Sequence, residues 1–129
     1  MMRFFAAVIL SFLLFGCSKA PITAHQNFKA EVLTQLRKLG SDTSKPHSFD
    51  FYLYLPTEAV ARQAGQRLAN SNYKVLIRPG AKGGDWLCLA TTTLTPDTAP
   101  LSDIGRLFSQ LAQEFQGDFD GWESAVVKN

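Results

Sequence analysis

The stretch Phe49-Asp50-Phe51-Tyr52-Leu53-Tyr54-Leu55 alternates apolar with polar or amphipathic residues without a break. A pleated strand sends successive side chains to opposite faces, so Phe49, Phe51, Leu53 and Leu55 belong to a core and Tyr52 and Tyr54 to the other side. A chain containing such a strand needs a sheet with one dry face, and the remaining elements must supply what dries it.

Those elements are readable from their periods and their stops. Phe28, Val32, Leu36 and Leu39 recur at helical spacing over about Gln26 to Leu39, and Gly40 offers the left-handed position that ends a helix. After the strand, Pro56 breaks it and Thr57 caps a second helix, with Val60, Ala64 and Leu68 inward and Asn70-Ser71-Asn72 as its close. Tyr73 to Ile77 reads as a strand, the glycine-rich segment 79–84 as a tight turn, and Asp85 to about Thr93 as its antiparallel neighbour. Leu101, Ile104, Phe108, Leu111 and Phe115 trace a third helix stopped by Gly117, and Phe119 to Val127 reads as the last strand. The order is a helix followed by βαββαβ. With two right-handed crossovers it predicts an α+β, ferredoxin-like sandwich: a four-stranded antiparallel sheet, two helices on one face, plus an extra N-terminal helix. The other face stays open unless the N-terminal helix or a partner covers it, and Tyr52 and Tyr54 would lie there.

The N-terminus carries a different signal. Arg3 precedes an apolar run, Phe4 to Phe15, broken only by Ser11. It is short of the ~20 residues a spanning helix needs, and Lys19 and Pro21 bar its extension. Leu14-Phe15-Gly16-Cys17 resembles a lipobox, in which a cysteine is lipidated and becomes the new N-terminus; Phe15 departs from the usual small residue. The expected division is therefore a lipoprotein signal peptide over 1–16, a short tether over 17–26, and one domain over 27–129. Lipid on Cys17 would hold that domain on a membrane, since several acyl chains at about 0.8 kcal/mol per methylene anchor durably. Ser18 in the next position fits the outer-membrane pattern, placing the domain in the cell envelope, facing the periplasm. The alternatives are an ordinary secretory signal and an uncleaved anchor.

Composition excludes more than it assigns. The chain has 13 basic and 11 acidic residues with mixed signs along it, and one of the basic residues is Arg3 of the signal. This near-neutral balance gives no electrostatic case for nucleic acid. Of the two cysteines, lipid on Cys17 leaves Cys88 unpaired in the apolar run Trp86-Leu87-Cys88-Leu89-Ala90, where a buried, inert thiol is expected. His25 in the tether and His47 beside Pro46 in a loop have no evident partner in sequence, and nucleophile-elbow, zinc-protease, dithiol and phosphate-loop spacings are absent, so no catalytic residue, metal or cofactor is assigned. Asp118, Asp120 and Glu123 cluster, but alternation puts the first two on one face and Glu123 on the other, against a cation site. Tyr52 and Tyr54 with Lys74 and Arg78 on an open sheet suggest a single-strand nucleic-acid binder, though the aromatic–glycine pattern of such modules is missing from the third strand.

The segment Glu114-Phe115-Gln116-Gly117-Asp118-Phe119-Asp120-Gly121-Trp122-Glu123 resembles the regulator of ribonuclease activity B family, whose founding members inhibit ribonuclease E. Leu39-Gly40-Ser41-Asp42, Pro56-Thr57-Glu58-Ala59 and Gly84-Asp85-Trp86-Leu87 agree with it. The resemblance covers about residues 28–127 and implies a ferredoxin-like domain that binds protein, with neither cofactor nor catalytic residues. Its founding members are cytoplasmic and strongly acidic, unlike this chain. The expected function is a membrane-anchored, non-enzymatic binding module for an unidentified protein. The runner-up is a cytoplasmic ribonuclease E inhibitor that modulates RNA turnover. Tyr52, Tyr54, Trp86, Asp120 and Trp122 are the candidate partner contacts, with packing the preferred role for both tryptophans and for Asp120-Gly121-Trp122 as a strand irregularity.

Overall fold

In a computed structural model of the chain, residues 20–81 and 83–129 are described, with side chains from Asn27 on. The expected signal segment and Cys17 lie outside the described residues. The elements are α1 (Ala20–Lys38), β1 (His47–Leu55), α2 (Glu58–Asn70), β2 (Lys74–Pro79), β3 (Trp86–Leu94), α3 (Leu101–Glu114) and β4 (Asp118–Ser124). The sheet runs β2-β3-β1-β4, every pair antiparallel, which is the ferredoxin-like order. Helical backbone is already present at Ala20, the first described residue, upstream of the start that the apolar period marks, because residues 20–26 carry no stripe from which a start can be read.

β1 buries its odd positions completely: Phe49, Phe51, Leu53 and Leu55 are at most 1% exposed. Above them α2 contributes Ala61, Ala64 and Leu68, and α3 contributes Leu101, Ile104, Phe108 and Leu111. The centre is aromatic: Phe51 stacks on Phe49 and Phe108 with centroids 5.8 and 4.8 Å away, and Phe108 stacks on Phe119 at 5.1 Å. Offset aromatic pairs at these spacings add roughly 0.5–1.5 kcal/mol each beyond the area they bury.

α1 does not cover the open side of the sheet. It packs beside α3 on the helical side, burying Phe28, Val32 and Leu36, and Phe28 also reaches Phe119 of β4. The approach depends on Gly105, since a Cβ there would sit 2.7 Å from the Phe28 ring. Leu39, expected on this stripe, is 43% exposed, because it lies where the helix turns out of the core.

The three helices among the described residues end in one way. Gly40 (φ 80°), Asn72 (φ 71°) and Gln116 (φ 55°) take the left-handed position. In each case the next amide reaches back five residues, from Ser41 to Leu36, Tyr73 to Leu68 and Gly117 to Ala112. These are Schellman closures. At the third the left-handed residue is Gln116 and not Gly117, which corrects the expected stop. Gly117 is needed for space: a Cβ there would lie 2.3 Å from the Tyr54 carbonyl oxygen. Gln116→Gly should therefore raise stability by about 0.5–1 kcal/mol in urea denaturation. Gly117→Ala should lower it by about 2 kcal/mol or more by forcing α3 away from β1.

Candidate functional site

The open face of the sheet is built in three rungs. The pairing aligns Lys74, Thr91, Asp50 and Glu123; then Leu76, Leu89, Tyr52 and Gly121; then Arg78, Leu87, Tyr54 and Asp118. Each outer rung runs from a base on the β2 edge to an acid on the β4 edge, and the middle rung is uncharged. Tyr52 leans toward β4 and donates its hydroxyl to Glu123 Oε1 at 2.5 Å, while Thr91 donates to Asp50 Oδ1 at 2.9 Å. Tyr54 leans the other way, its ring lying 3.3 Å from where a Gly80 Cβ would be. It so passes over Leu87, which is only 3% exposed although it points away from the helices. Between the two tyrosines Leu89 is half-buried and Leu76 stands 50% exposed at the edge. Beside the acidic edge is a shallow hollow of about 330 Å³ lined by Ser48, Asp50, Glu123, Ser124 and Ala125.

The acidic edge owes its shape to a bulge. The β1–β4 register shifts between Tyr52 and Leu53, so that Asp120 has no residue opposite it and Gly121 adopts φ 117°. Alternation alone had separated Asp118 from Glu123; the extra residue puts both on the open face, opposite Tyr54 and Asp50. No three His, Cys, Asp or Glu side chains among the described residues are grouped to hold a metal ion.

The same bulge turns Trp122 inward. Its side chain is 2% exposed and lies 5.5 Å from Phe49, and its indole N–H has no acceptor among the described residues. Of the sequence candidates, Tyr52 and Tyr54 are thus brought together on the open face, and Asp120 sits half-buried at the bulge on its rim. Trp86 pairs with Leu55 and Pro79 and packs against the core from the helical side. Trp122 presents no surface to a partner, because the bulge has spent it on packing.

His47 needs a correction. It is not a loop imidazole without a partner but the first residue of β1, 1% exposed and on the same parity as Phe49. Extending the alternation two residues upstream would have found it. Its Nδ1 lies 2.7 Å from the Lys45 carbonyl and its Nε2 2.7 Å from Ser41 Oγ. With Nδ1–H donating to that carbonyl, Nε2 accepts from the Ser41 hydroxyl, whose oxygen in turn accepts the Val127 amide at 2.8 Å. Asp42 N–H also donates to the Val127 carbonyl at 2.7 Å. A serine–histidine contact has a catalytic look, but this hydroxyl is 7% exposed and engaged on both sides. It ties the chain after β4 to the turn after α1.

Cys88 projects into the core beside Leu53 and Ile77, fully buried and free. Burial pushes its thiol up to about 11 from 9.0, and burial likewise raises Tyr73. A thiol held protonated in an apolar core is a packing group and a poor nucleophile.

A ferredoxin-like sandwich with the described helices on one sheet face and a charge-segregated, aromatic second face defines the class: a small α+β domain. A scan against known protein families matches the regulator of ribonuclease activity B family over residues 26–124, and the chain belongs to that family. A search of curated proteins gave no match.

Two outcomes follow from this geometry. Trp122→Ala should cost about 3–5 kcal/mol of unfolding free energy. Gly121→Ala, with nothing within 4 Å of the added Cβ, should cost only the backbone strain of about 1–3 kcal/mol. Urea titration of the two variants checks the ordering. For Cys88 the folded state keeps its proton to higher pH than the unfolded state, so above about pH 9 the unfolded state ionises first and stability falls with rising pH until about pH 11. Tyr73 adds to the fall above about pH 10. Cys88→Ala should flatten the profile between pH 9 and the onset of the tyrosine, as read by thermal melts across that range.

Proposed function

We propose that this chain is a cell-envelope lipoprotein, anchored through lipid on Cys17, whose domain regulates another protein by binding it through the open sheet face. The family match over residues 26–124 carries the regulatory, protein-binding part of this reading, because the family takes its description from control of a ribonuclease. The face supplies the chemistry: Tyr52 and Tyr54 give large, stiff contact area with polar tips, flanked by Leu76 and Leu89. The lipobox-like Leu14-Phe15-Gly16-Cys17 after a short apolar run supports the anchor, and Ser18 supports the outer membrane. Cys17 lies close in sequence to Phe28, the first buried residue of α1, so a lipid on Cys17 would keep the domain near the bilayer surface.

A second reading is favoured by the family match taken alone: a cytoplasmic inhibitor of ribonuclease E. Metabolic labelling with a palmitate analogue, followed by membrane fractionation, separates the two. The expected result is a labelled product in the outer-membrane fraction, and loss of both label and membrane association in Cys17→Ser. An unlabelled, soluble product that inhibits purified ribonuclease E would establish the second reading instead. In either compartment Tyr52→Ala with Tyr54→Ala should weaken partner capture at least tenfold while leaving the fold intact.

A further inference from the structure

We propose that the outer edge of β2 is a docking site for an extended segment of another protein, which joins the sheet as a further antiparallel strand with the pattern acid-x-apolar-x-acid. The site lies in the plane of the sheet and does not depend on binding through its open face. It comes from the hydrogen-bond parity of β2. That strand has one neighbour, β3, and their register continues past Pro79, where the Gly80 amide donates to the Asp85 carbonyl at 2.8 Å. In an antiparallel ladder such bonded pairs alternate with unbonded ones. Counting back in twos, Arg78, Leu76 and Lys74 turn their amides and carbonyls toward β3, so Val75 and Ile77 turn theirs toward the edge. Among the described residues no hydrogen bond engages those edge groups. The row also has ends. The Tyr73 amide is spent on the Leu68 carbonyl, and Pro79 has no amide, so the edge offers two donors with their carbonyls, a slot about five residues long.

The side chains choose the occupant. Lys74, Leu76 and Arg78 share one parity and are all exposed, Leu76 by 50%. Neither base has an ion-pair partner among the described residues. A strand added here meets these three in unbonded pairs, where opposed side chains stand closest, with Cα atoms about 4.5 Å apart. Acids opposite Lys74 and Arg78, with an apolar residue opposite Leu76, complement that row. On the other parity Val75 and Ile77 are half-buried and lie against Gly65 of α2. The two residues beside them extend an apolar row, which suits β-branched side chains.

The same charges reject a second copy. The two-fold register that engages every edge group sets Val75 of one β2 against Ile77 of the other and Leu76 against itself. It therefore sets Lys74 against Arg78 twice. Like charges directly opposite destabilise a strand pair, and basic side chains on an edge guard against self-pairing. β4 of another copy is unsuitable for a different reason, since the bulge at Asp120 breaks its regular ladder. An acidic strand from a different protein is what remains, recognised through backbone hydrogen bonds with side chains setting the specificity.

Amide exchange and chemical-shift titration of the isotope-labelled full chain, in neutral-detergent micelles, test this with the end-capped peptide Ser-Glu-Val-Leu-Val-Glu-Ser. In the free protein the Leu76 and Arg78 amides should exchange about tenfold or more slower than those of Val75 and Ile77, and saturating peptide should protect the latter pair to a similar degree. Saturation is expected below about 1 mM peptide. N-methylating both valines blocks the amides that would face β2 and should weaken binding about tenfold or more. N-methylating the leucine, whose amide faces away, should change it less than about threefold. A peptide with lysines in place of the glutamates should bind about tenfold or more weakly, and Lys74→Glu with Arg78→Glu should reverse that preference. The methylated peptides act on an unaltered protein, so the outcome does not hang on the reversed variant folding. Absence of saturable binding below about 1 mM overturns the proposal. So does binding that is indifferent to which amide is methylated, or that leaves the Val75 and Ile77 amides unprotected.

Discussion

The parity of β4 is the constraint on which both faces of the sheet depend. Phe119 and Trp122 are three residues apart, so a regular strand cannot turn both toward the helices. The extra residue at Asp120 and the φ of 117° at Gly121 resolve the conflict, and both rings enter the aromatic cluster around Phe51 and Phe108. The same shift brings Asp118 and Glu123 together on the opposite face. One backbone irregularity, open only to glycine at little strain, thereby completes the core and creates the acidic edge. Asp120-Gly121-Trp122 is in this sense a structural device whose consequences reach the surface.

How far this was legible in the sequence follows from what each signal measures. The strict alternation of Phe49 to Leu55 reports a strand with one dry face, and it held because β1 is central and paired on both sides. Helical stripes and stops were readable because apolar period and left-handed closures are local. What escaped is non-local or breaks a period. Alternation cannot foresee a bulge, so it placed Glu123 on the wrong face. A sequence stripe says that α1 packs, but not that it packs on α3 through the gap at Gly105 rather than across the second face of the sheet. Ser41, His47 and Val127 are joined across the whole domain by a hydrogen-bond chain that no local window spans.

The family assignment and the geometry bear on different questions. The match over residues 26–124 ties the fold to a group described by the control of a ribonuclease. The geometry says where such a domain has surface to give. The Ser41–His47 pair and Cys88 are both consumed by packing, so the groups most suggestive of chemistry are the least accessible. The accessible features are two tyrosines, two leucines and a ring of charge, the materials of a contact surface.

Net charge conceals that ring. Thirteen basic and eleven acidic residues, mixed along the chain, read as an electrostatically quiet protein. The sheet order undoes the mixing, because β2 and β4 are assigned to opposite edges and each brings charges of one sign to the open face. A face that is basic at one edge and acidic at the other has little net attraction for a uniformly charged polymer such as nucleic acid. It does have a strong orientation preference for any surface carrying the reversed pattern. The topology that builds the core therefore also decides which partners the open face favours and in which orientation it meets them.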